Sequence, residues 1–532
     1  MSLLYTLAQL NPIVGDIQGN YLKICNAYTQ ALGKNSDLCI TPELSLIGYP
    51  PQDLVLKPKL LQEAEHYLEL LVEQTKGKSC GLVIGSIKRK HNHIYNVAYL
   101  IYDGEIKQYF SKRNLPNYGV FDEKRIFTPG QEPLTCIFKN TKISLLICED
   151  FWIEETVNLA MEDKPHLLLC INASPFELSK YSTRIKLASK HSTPVLYINQ
   201  IGGQDHLVFD GGSFAINKNG KLVLQNNFFH EEITHFSFDQ STAIEFTFSD
   251  IEWSYQAAML GVHDYVTKNN FTKVIIGLSG GIDSALVTAI AVDALGSDAV
   301  QTIMLPSKFT SQTSIDDAKQ IAINLKIHHK MVPIENAVEN IRILMPSINE
   351  IADQNIQSRI RGLILMTISN NTNALLITTG NKSEISVGYT TLYGDMCGAY
   401  NPIKDIYKTD IYKLCQWRNK NIPRYSKHQT SNVIPENILT KAPSAELKDA
   451  QTDQENLPPY ELLDQILYKL IEQNISKEDI VAQGFDQNIV EKIIKLLHAA
   501  EFKRQQSAPG TKISKMCFNI DRRYPITNKF LK

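Results

Sequence analysis

The chain has 532 residues, 43% hydrophobic and 21% charged, which suffices for two or more cores at about 150 residues per domain and excludes a disordered or fibrous protein. With 54 Lys and Arg against 56 Asp and Glu, the net charge of -2 provides no global electrostatic drive towards nucleic acid or an anionic membrane, so small molecules are the expected partners. The nine cysteines are scattered and never form a C-x-x-C pair, which argues against a disulfide framework or zinc knuckle and fits a reducing cytoplasm.

In chain order, the segment from Met1 to Leu7 lacks a basic stretch and runs into Asn11-Pro12, so residues 3–10 are expected to form a first strand and not a signal peptide. Residues 38–41, 81–87, 143–148, 167–171 and 195–199 read as further strands, short and bounded by turn residues. Residues 21–32, 58–74 and 181–191 carry apolar positions at helical spacing. Asp103-Gly104 and Asn219-Gly220 predict hairpins with type I′ turns. No apolar run approaches the roughly 18 residues needed to span a bilayer.

A strand-like alternation through 246–250 then gives way to a helical stretch at 255–268, which sets the expected domain boundary: residues 1–249 and residues 250–532. Beyond it, strands at 273–278, 300–305, 329–334 and 374–379 alternate with helices at 284–295, 314–325 and 356–368, the pattern of a doubly wound parallel sheet. Residues 432–459 read as a polar, Pro-punctuated loop.

Between the first of these strands and its helix stands Gly277-Leu278-Ser279-Gly280-Gly281-Ile282-Asp283-Ser284. Adjacent glycines let several N–H groups point into one concavity, and the helix adds its positive N-terminal end, so this is an anion site. It lacks the lysine of a Walker A loop. The string resembles the pyrophosphate loop of the ATP pyrophosphatases, which adenylate a carboxylate or carbonyl and then displace AMP with a nitrogen or sulfur nucleophile. Downstream, Thr379-Gly380-Asn381-Lys382-Ser383-Glu384, Gly388 to Asp395, Asn401-Pro402-Ile403 and Lys408-Thr409 are similar to the NAD synthetase pattern. So are Asn355 to Arg359, Pro443 to Leu447 and Leu457 to Tyr460. The resemblance implies that residues 277–284 and Thr379 bind ATP, that Asn355, Glu384 and Lys503 contact deamido-NAD, and that Asp283 and Glu384 hold magnesium. That donor set suits a hard divalent cation.

In the first half, Cys148 ends an apolar strand and precedes Glu149-Asp150-Phe151-Trp152, Glu43 lies just past another strand, and Lys112 opens Lys112-Arg113-Asn114-Leu115-Pro116-Asn117-Tyr118. A buried cysteine alone is usually inert packing. The three together resemble the Glu-Lys-Cys triad of the nitrilase superfamily, in particular the glutaminase half of glutamine-dependent NAD synthetases. Amide hydrolysis needs a nucleophile, a proton carrier and positive charge at the oxyanion, and these residues supply one each. By the same resemblance Tyr118, Ser174 and Lys180 bind glutamine.

The resemblance implies an N-terminal α-β-β-α sandwich fused to a C-terminal doubly wound ATP-pyrophosphatase domain. The implied reaction is ATP-dependent amidation of deamido-NAD, with ammonia released from glutamine and shielded on its way to the second site. It also implies a homo-oligomer, dimeric through the synthetase domain or larger. A tRNA-thiolating enzyme would share the phosphate loop but calls for a basic face and paired cysteines. An amidase with a degenerate second half would not need an intact loop, and a nucleotide sensor would bind ATP without releasing diphosphate. His91-Asn92-His93 and His328-His329 read as surface turn and strand lead-in, and Lys503-Arg504 with Arg522-Arg523 as phosphate partners. Gln454 and Asn519 depart from the family's usual Glu and Gly, and Asn tolerates the left-handed backbone that Gly would serve.

Overall fold

The structure is a computed structural model that describes residues 3–449 and 451–530. The chain divides into two compact units, Met1–Gln204 with Val208–Thr247, and Asp205–Leu207 with Phe248–Lys532.

The strands of the first unit are β1 (Tyr5–Gln9), β2 (Leu38–Ile40), β3 (Gly81–Lys90), β4 (His93–Tyr102), β5 (Glu105–Ser111), β6 (Thr135–Phe138), β7 (Thr141–Ile147), β8 (Leu167–Asn172), β9 (Val195–Asn199), β10 (Ile201–Gln204), β11 (Leu207–Asp210), β12 (Phe214–Ile216), β13 (Leu222–Gln225) and β14 (Glu232–Phe236). Two six-stranded sheets result, ordered β14-β1-β2-β3-β4-β5 and β13-β12-β9-β8-β7-β6. Each has a parallel centre, β1-β2-β3 in one and β7-β8-β9 in the other, flanked by antiparallel strands. The central strands carry aliphatic side chains on both faces, as strands covered on both sides must. Alternate residues Leu7, Leu38, Ile40, Val83, Ile143, Leu145, Ile147, Leu169, Ile171, Leu196 and Ile198 meet in one core between the sheets. Helices α1 (Ile17–Gly33) and α2 (Pro58–Gln74) cover the first sheet, α3 (Glu154–Glu162) packs on β7, and α4 (Lys180–Ala188) buries Tyr181, Arg184 and Ala188. This is the α-β-β-α sandwich.

The second unit holds four parallel strands, β15 (Val274–Gly277), β16 (Val300–Met304), β17 (His328–Met331) and β18 (Leu375–Ile377), in the order β17-β16-β15-β18. Helices α5 (Asp250–Lys268), α6 (Ile282–Leu295), α7 (Gln312–Asn324), α8 (Glu335–Leu344) and α9 (Glu350–Thr372) come from the alternating segments. α6 is apolar all round, and every residue from Ser284 to Ala294 is buried, so it is the central helix of this unit. Strand order reverses at β15, between neighbours β16 and β18, which opens a crevice at the carboxyl ends of β15 and β18. Beyond β18 follow α10 (Lys382–Val387), α11 (Lys408–Lys420), α12 (Glu436–Thr440), α13 (Tyr460–Ile471), α14 (Lys477–Ala482), α15 (Gln487–Ala499) and α16 (Glu501–Arg504). α10 is too short to stand alone, and Ile385 and Val387 anchor it in an apolar cluster with Leu463, Ile466, Leu467, Val490 and Ile493.

Several sequence expectations need correction. Asp103 and Gly104 both take positive φ, as a type I′ turn requires, but at 219–220 only Gly220 does, and a register shift at Ala215/Ile216 makes that hairpin a bulged one. Residues 246–248 pair with no strand among the described residues. Their alternation reflects aromatic packing instead: Phe246 meets Tyr181 edge-on at 5.6 Å, and Phe248 stacks on Trp253 at 4.4 Å. The expected loop at 432–459 contains α12 and a 3-10 turn, Asp453–Glu455, and Ala450 lies outside the described residues.

Leu145→Ala, in the core between the sheets, is expected to cost about 2–5 kcal/mol, whereas Ile137→Ala, on the solvent side of β6, stays within about 0.5 kcal/mol. Thermal unfolding of the two variants beside the parent checks this.

Candidate active sites

In the first unit the sandwich brings strand ends together. Glu43 follows β2 by three residues and is fully buried. Its Oε1 accepts from the Lys112 ammonium at 2.8 Å and the Asn96 amide at 2.7 Å, and its Oε2 accepts from the Ala173 N–H at 3.0 Å. Lys112, one residue past β5, donates a second bond to Glu123 Oε1 at 2.7 Å. Burial, the largest influence, pulls its ammonium down, but Glu123 and Glu43 together outweigh it and hold the lysine well above its ordinary value. Burial pushes Glu123 up to about 7; Tyr49 donates to the same oxygen at 2.8 Å, and Oε2 is buried without a partner.

Cys148 lies at the end of β7, at the start of a 3-10 turn, with φ of 47°. A non-glycine residue there carries backbone strain that the packing of the turn must hold. Burial first, and then the Glu43 carboxylate, raise its thiol well above the ordinary range, with Lys112 acting in the opposite sense. The thiol is therefore protonated at neutral pH and needs a base to become a nucleophile.

Glu149 beside it accepts from the Tyr118 hydroxyl at 2.9 and 3.0 Å. The Lys180 ammonium lies 5.9 Å from the ring centres of both Phe121 and Trp152. Ser174 bonds to none of the triad. Its N–H donates to Asn199 at 2.9 Å and its hydroxyl accepts from Arg184 at 3.1 Å, next to the Ala173 that binds Glu43.

In the second unit, residues 277–284 run from the end of β15 into α6, at the crevice where strand order reverses. Gly280 has φ of 77°, and a Cβ there would stand 2.2 Å from the Ser314 carbonyl oxygen, so glycine is required twice over. The Ser284 hydroxyl closes the loop, donating to the Gly281 carbonyl at 3.0 Å and accepting from the Ser279 N–H at 3.2 Å. Leu278 is buried and its N–H donates to Ile303, while Ile282 opens the helix. Thr379 lies on the connection from β18 to α10, beside Gly380, whose carbonyl accepts from Asn401 at 2.7 Å.

Asn381 caps α10 through the Glu384 N–H at 2.9 Å and donates to Asp283 Oδ1 at 3.0 Å. The Lys408 ammonium, on the first residue of α11, bridges Asp283 Oδ2 and Glu384 Oε1. Burial pushes Glu384 up to about 8, against the pull of Lys408, and Asp283 and Asp453 add to the rise. Asn355 and Lys503 converge elsewhere. Asn355 accepts from the Thr391 hydroxyl at 3.0 Å, and Lys503 donates to the Gly388 and Thr390 carbonyls at 2.8 and 2.7 Å. Both therefore face the loop after α10 and bond to neither Asp283 nor Glu384.

Among the described residues no three His, Cys, Asp or Glu side chains form a metal-holding group. Asp283 and Glu384 still fit a magnesium ion chemically. They are hard oxygen donors with a cation, Lys408, already between them, and magnesium takes few protein ligands when phosphates and water supply the rest.

Sequence reasoning left Glu123, Glu149, Asn381, Lys408 and Asp453 without roles. Glu149 is legible as the residue after the candidate nucleophile; Glu123 is visible only once β5 and its following loop fold back on Lys112. Gln454 is exposed, and Asn519 takes φ of 70° while its amide donates to the Arg504 carbonyl at 2.7 Å, so it fills the left-handed position that glycine would hold.

Residues 4–247 match the carbon-nitrogen hydrolase family model, and residues 254–507 match that of NAD synthase. The chain is 41% identical to a glutamine-dependent NAD(+) synthetase of Synechocystis sp. over 98% of both chains. It is 39% identical to one of Thermotoga maritima over 99% of this chain and 98% of that one. A solved glutamine-dependent NAD+ synthetase from Acinetobacter baumannii, in complex with adenosine diphosphate, matches with a TM-score of 0.78 at 39% identity over 99% of both chains. One from Cytophaga hutchinsonii shares the fold with a TM-score of 0.84 at 23% identity over 99% of this chain and 98% of that one.

Lys112→Met leaves two buried carboxylates without their counter-charge and is expected to destabilise the first unit by about 3–5 kcal/mol. The folded variant then binds protons more readily than the unfolded chain, so its stability falls as pH rises from about 5 to about 8. Thermal unfolding across that range reads both the size and the sign.

Proposed function

The chain belongs to the glutamine-dependent NAD(+) synthetases, and from that premise we propose which residues carry its two half-reactions. The enzyme is a ligase that amidates deamido-NAD to NAD, using ATP and the amide nitrogen of glutamine. The observation that carries the assignment of the first half-reaction is the buried Glu43–Lys112 pair, whose charges both act on Cys148.

Residues 1–249 form the glutaminase domain in this reading. Glu43 takes the Cys148 proton as the sulfur attacks the amide carbon, and Lys112 offsets the oxyanion that forms. Glu43 returns the proton to the departing ammonia, leaving a glutamyl thioester. It then accepts a proton from water, which attacks the thioester and releases glutamate and the Cys148 thiol. The substrate carries an α-ammonium and an α-carboxylate, for which Glu149 and Lys180 offer opposite charges, with Tyr118 bonded to Glu149; Ser174 is the remaining glutamine-binding residue of this reading.

Residues 250–532 form the synthetase domain. The loop of residues 277–284, with Thr379, receives the ATP phosphates at the start of α6. The nicotinate carboxylate of deamido-NAD attacks the α-phosphate, diphosphate leaves, and ammonia then displaces AMP from the adenylate. Asp283 and Glu384 would hold magnesium, which would neutralise phosphate charge. Asn355 and Lys503 set the loop 388–391 against deamido-NAD, with Glu384 at the near end of that loop.

Two further assignments complete the reading. Ile343, Leu344 and Met345 at the end of α8, with Ile351 and Leu363 on α9, expose large apolar side chains on this domain, which supports a homodimer formed through it. All nine cysteines are free, and a thiol nucleophile must stay reduced, which supports a cytoplasmic location. Among the described residues no helix is long and apolar enough to cross a membrane.

Cys148→Ala is expected to abolish NAD formation from glutamine while leaving formation from an ammonium salt intact; survival of glutamine use would remove Cys148 from the mechanism. Asp283→Asn should reduce both rates by about 100-fold, since both nitrogen sources share the adenylate. Leu344→Glu is expected to shift the protein from dimer to monomer in light scattering.

A further inference from the structure

Asp150, two residues after Cys148 and 1% exposed, takes no part in the chemistry above, yet its carboxylate is the meeting point of both catalytic segments. Its Oδ1 accepts from the Asn114 N–H at 2.7 Å, the Arg113 N–H at 3.0 Å and the Asn114 side-chain amide at 3.0 Å. Its Oδ2 accepts from the Ile147 N–H and again from the Arg113 N–H, both at 3.3 Å. The donors are thus the two residues that follow Lys112 and the one that precedes Cys148.

Lys112 is fixed on its other side, its N–H donating to the Asn96 carbonyl and its own carbonyl accepting from the Gly130 N–H, both at 2.8 Å. The Cys148 turn carries a positive φ that must be held against relaxation. From this geometry we propose that Asp150 is a positioning residue of the glutamine-hydrolysing centre, fastening the backbone that carries Lys112 to the turn that carries Cys148. The role rests on the glutaminase reading.

The chemistry of the contacts selects a carboxylate. Both oxygens of an ionised Asp accept, whereas the amide of Asn would turn an NH2 group towards one set of N–H donors and lose those bonds. Burial raises the Asp150 acid to about 6, against the Asn114 backbone bond that lowers it, so it is ionised at pH 8. Misplacing Lys112 relative to the Cys148 sulfur by a fraction of an ångström weakens oxyanion stabilisation while leaving the groups that hold the ends of glutamine in place.

The test uses the full chain at pH 8, with NAD formation followed from glutamine and from an ammonium salt. Asp150→Asn is expected to lower kcat with glutamine by about 100-fold, with the KM for glutamine changed by less than about threefold and the ammonium rate by less than about twofold. Asn114→Ala removes one side-chain donor and leaves the backbone donors, so it should stay within about threefold of the parent. A D150N enzyme with near-parental kcat for glutamine overturns the inference. So does an equal loss of the ammonium rate, a change confined to KM, or an N114A loss as large as that of D150N. Cys148→Ala run in parallel separates the two levels: continued glutamine use by C148A would sink the glutaminase reading itself, while an inactive C148A beside a fully active D150N would sink only the role of Asp150.

Discussion

One buried ammonium governs the first unit. Lys112 is buried with two carboxylates, Glu43 and Glu123, so the cluster carries one negative charge in excess unless a proton joins it. The fold distributes that excess through donors from different strands. Asn96 on β4 and Ala173 just past β8 take the remaining lone pairs of Glu43, and burial pushes Glu123 up to about 7. Glu43 belongs to one sheet and Ala173 to the other, so satisfying this acid requires the two sheets to stand in register. The aliphatic core between them therefore does more than exclude water; it sets the position of a charge network that tolerates no slack.

The second unit reaches a related solution on a different scaffold. Lys408 lies between Asp283 and Glu384 much as Lys112 lies between two glutamates, and again each partner starts from the end of a strand or the first turn of a helix. Position along the elements separates the roles. Lys112 is enclosed, with its charge fixed beside a thiol. Asp283 and Glu384 stand at the crevice of the parallel sheet, beside the glycine loop that opens α6, where the ATP phosphates are proposed to bind. In the proposed assignment the same pairing of one base with two acids serves a hydrolytic centre in one unit and a nucleotide site at the strand-order switch point of the other.

Much of this was legible in the sequence, for definite reasons. Strands such as β7, β8 and β9 are short aliphatic runs, and a loop with adjacent glycines between strand and helix has few alternatives, so the layered fold and residues 277–284 could be read locally. Glu43, Lys112 and Cys148 were found by likeness, because nothing local marks a charged residue that ends in the core. What escaped was what tertiary pairing creates. Glu123 acquires its place when a loop returns to Lys112, Lys408 meets Asp283 across 125 positions of chain, and Asn355 and Lys503 converge on residues 388–391 from helices far apart in sequence. The alternation at 246–250 misled for the converse reason: aromatic packing imposes the same spacing as a strand, without a partner strand to pair with.

The state of Cys148 follows from these constraints. A free thiolate in an open pocket would be reactive towards any oxidant or electrophile. Burial and the Glu43 carboxylate instead keep this sulfur protonated. In the proposed mechanism activation is tied to a substrate that fills the pocket and develops an oxyanion for Lys112 to stabilise, since moving the negative charge from the Glu43 carboxylate to a buried thiolate is otherwise unfavourable. In that mechanism the nucleophile is quiet at rest because the Glu43 carboxylate that activates it also suppresses its ionisation. The left-handed backbone at position 148, held in its turn by neighbouring hydrogen bonds, keeps the sulfur at the strand end where that substrate must arrive.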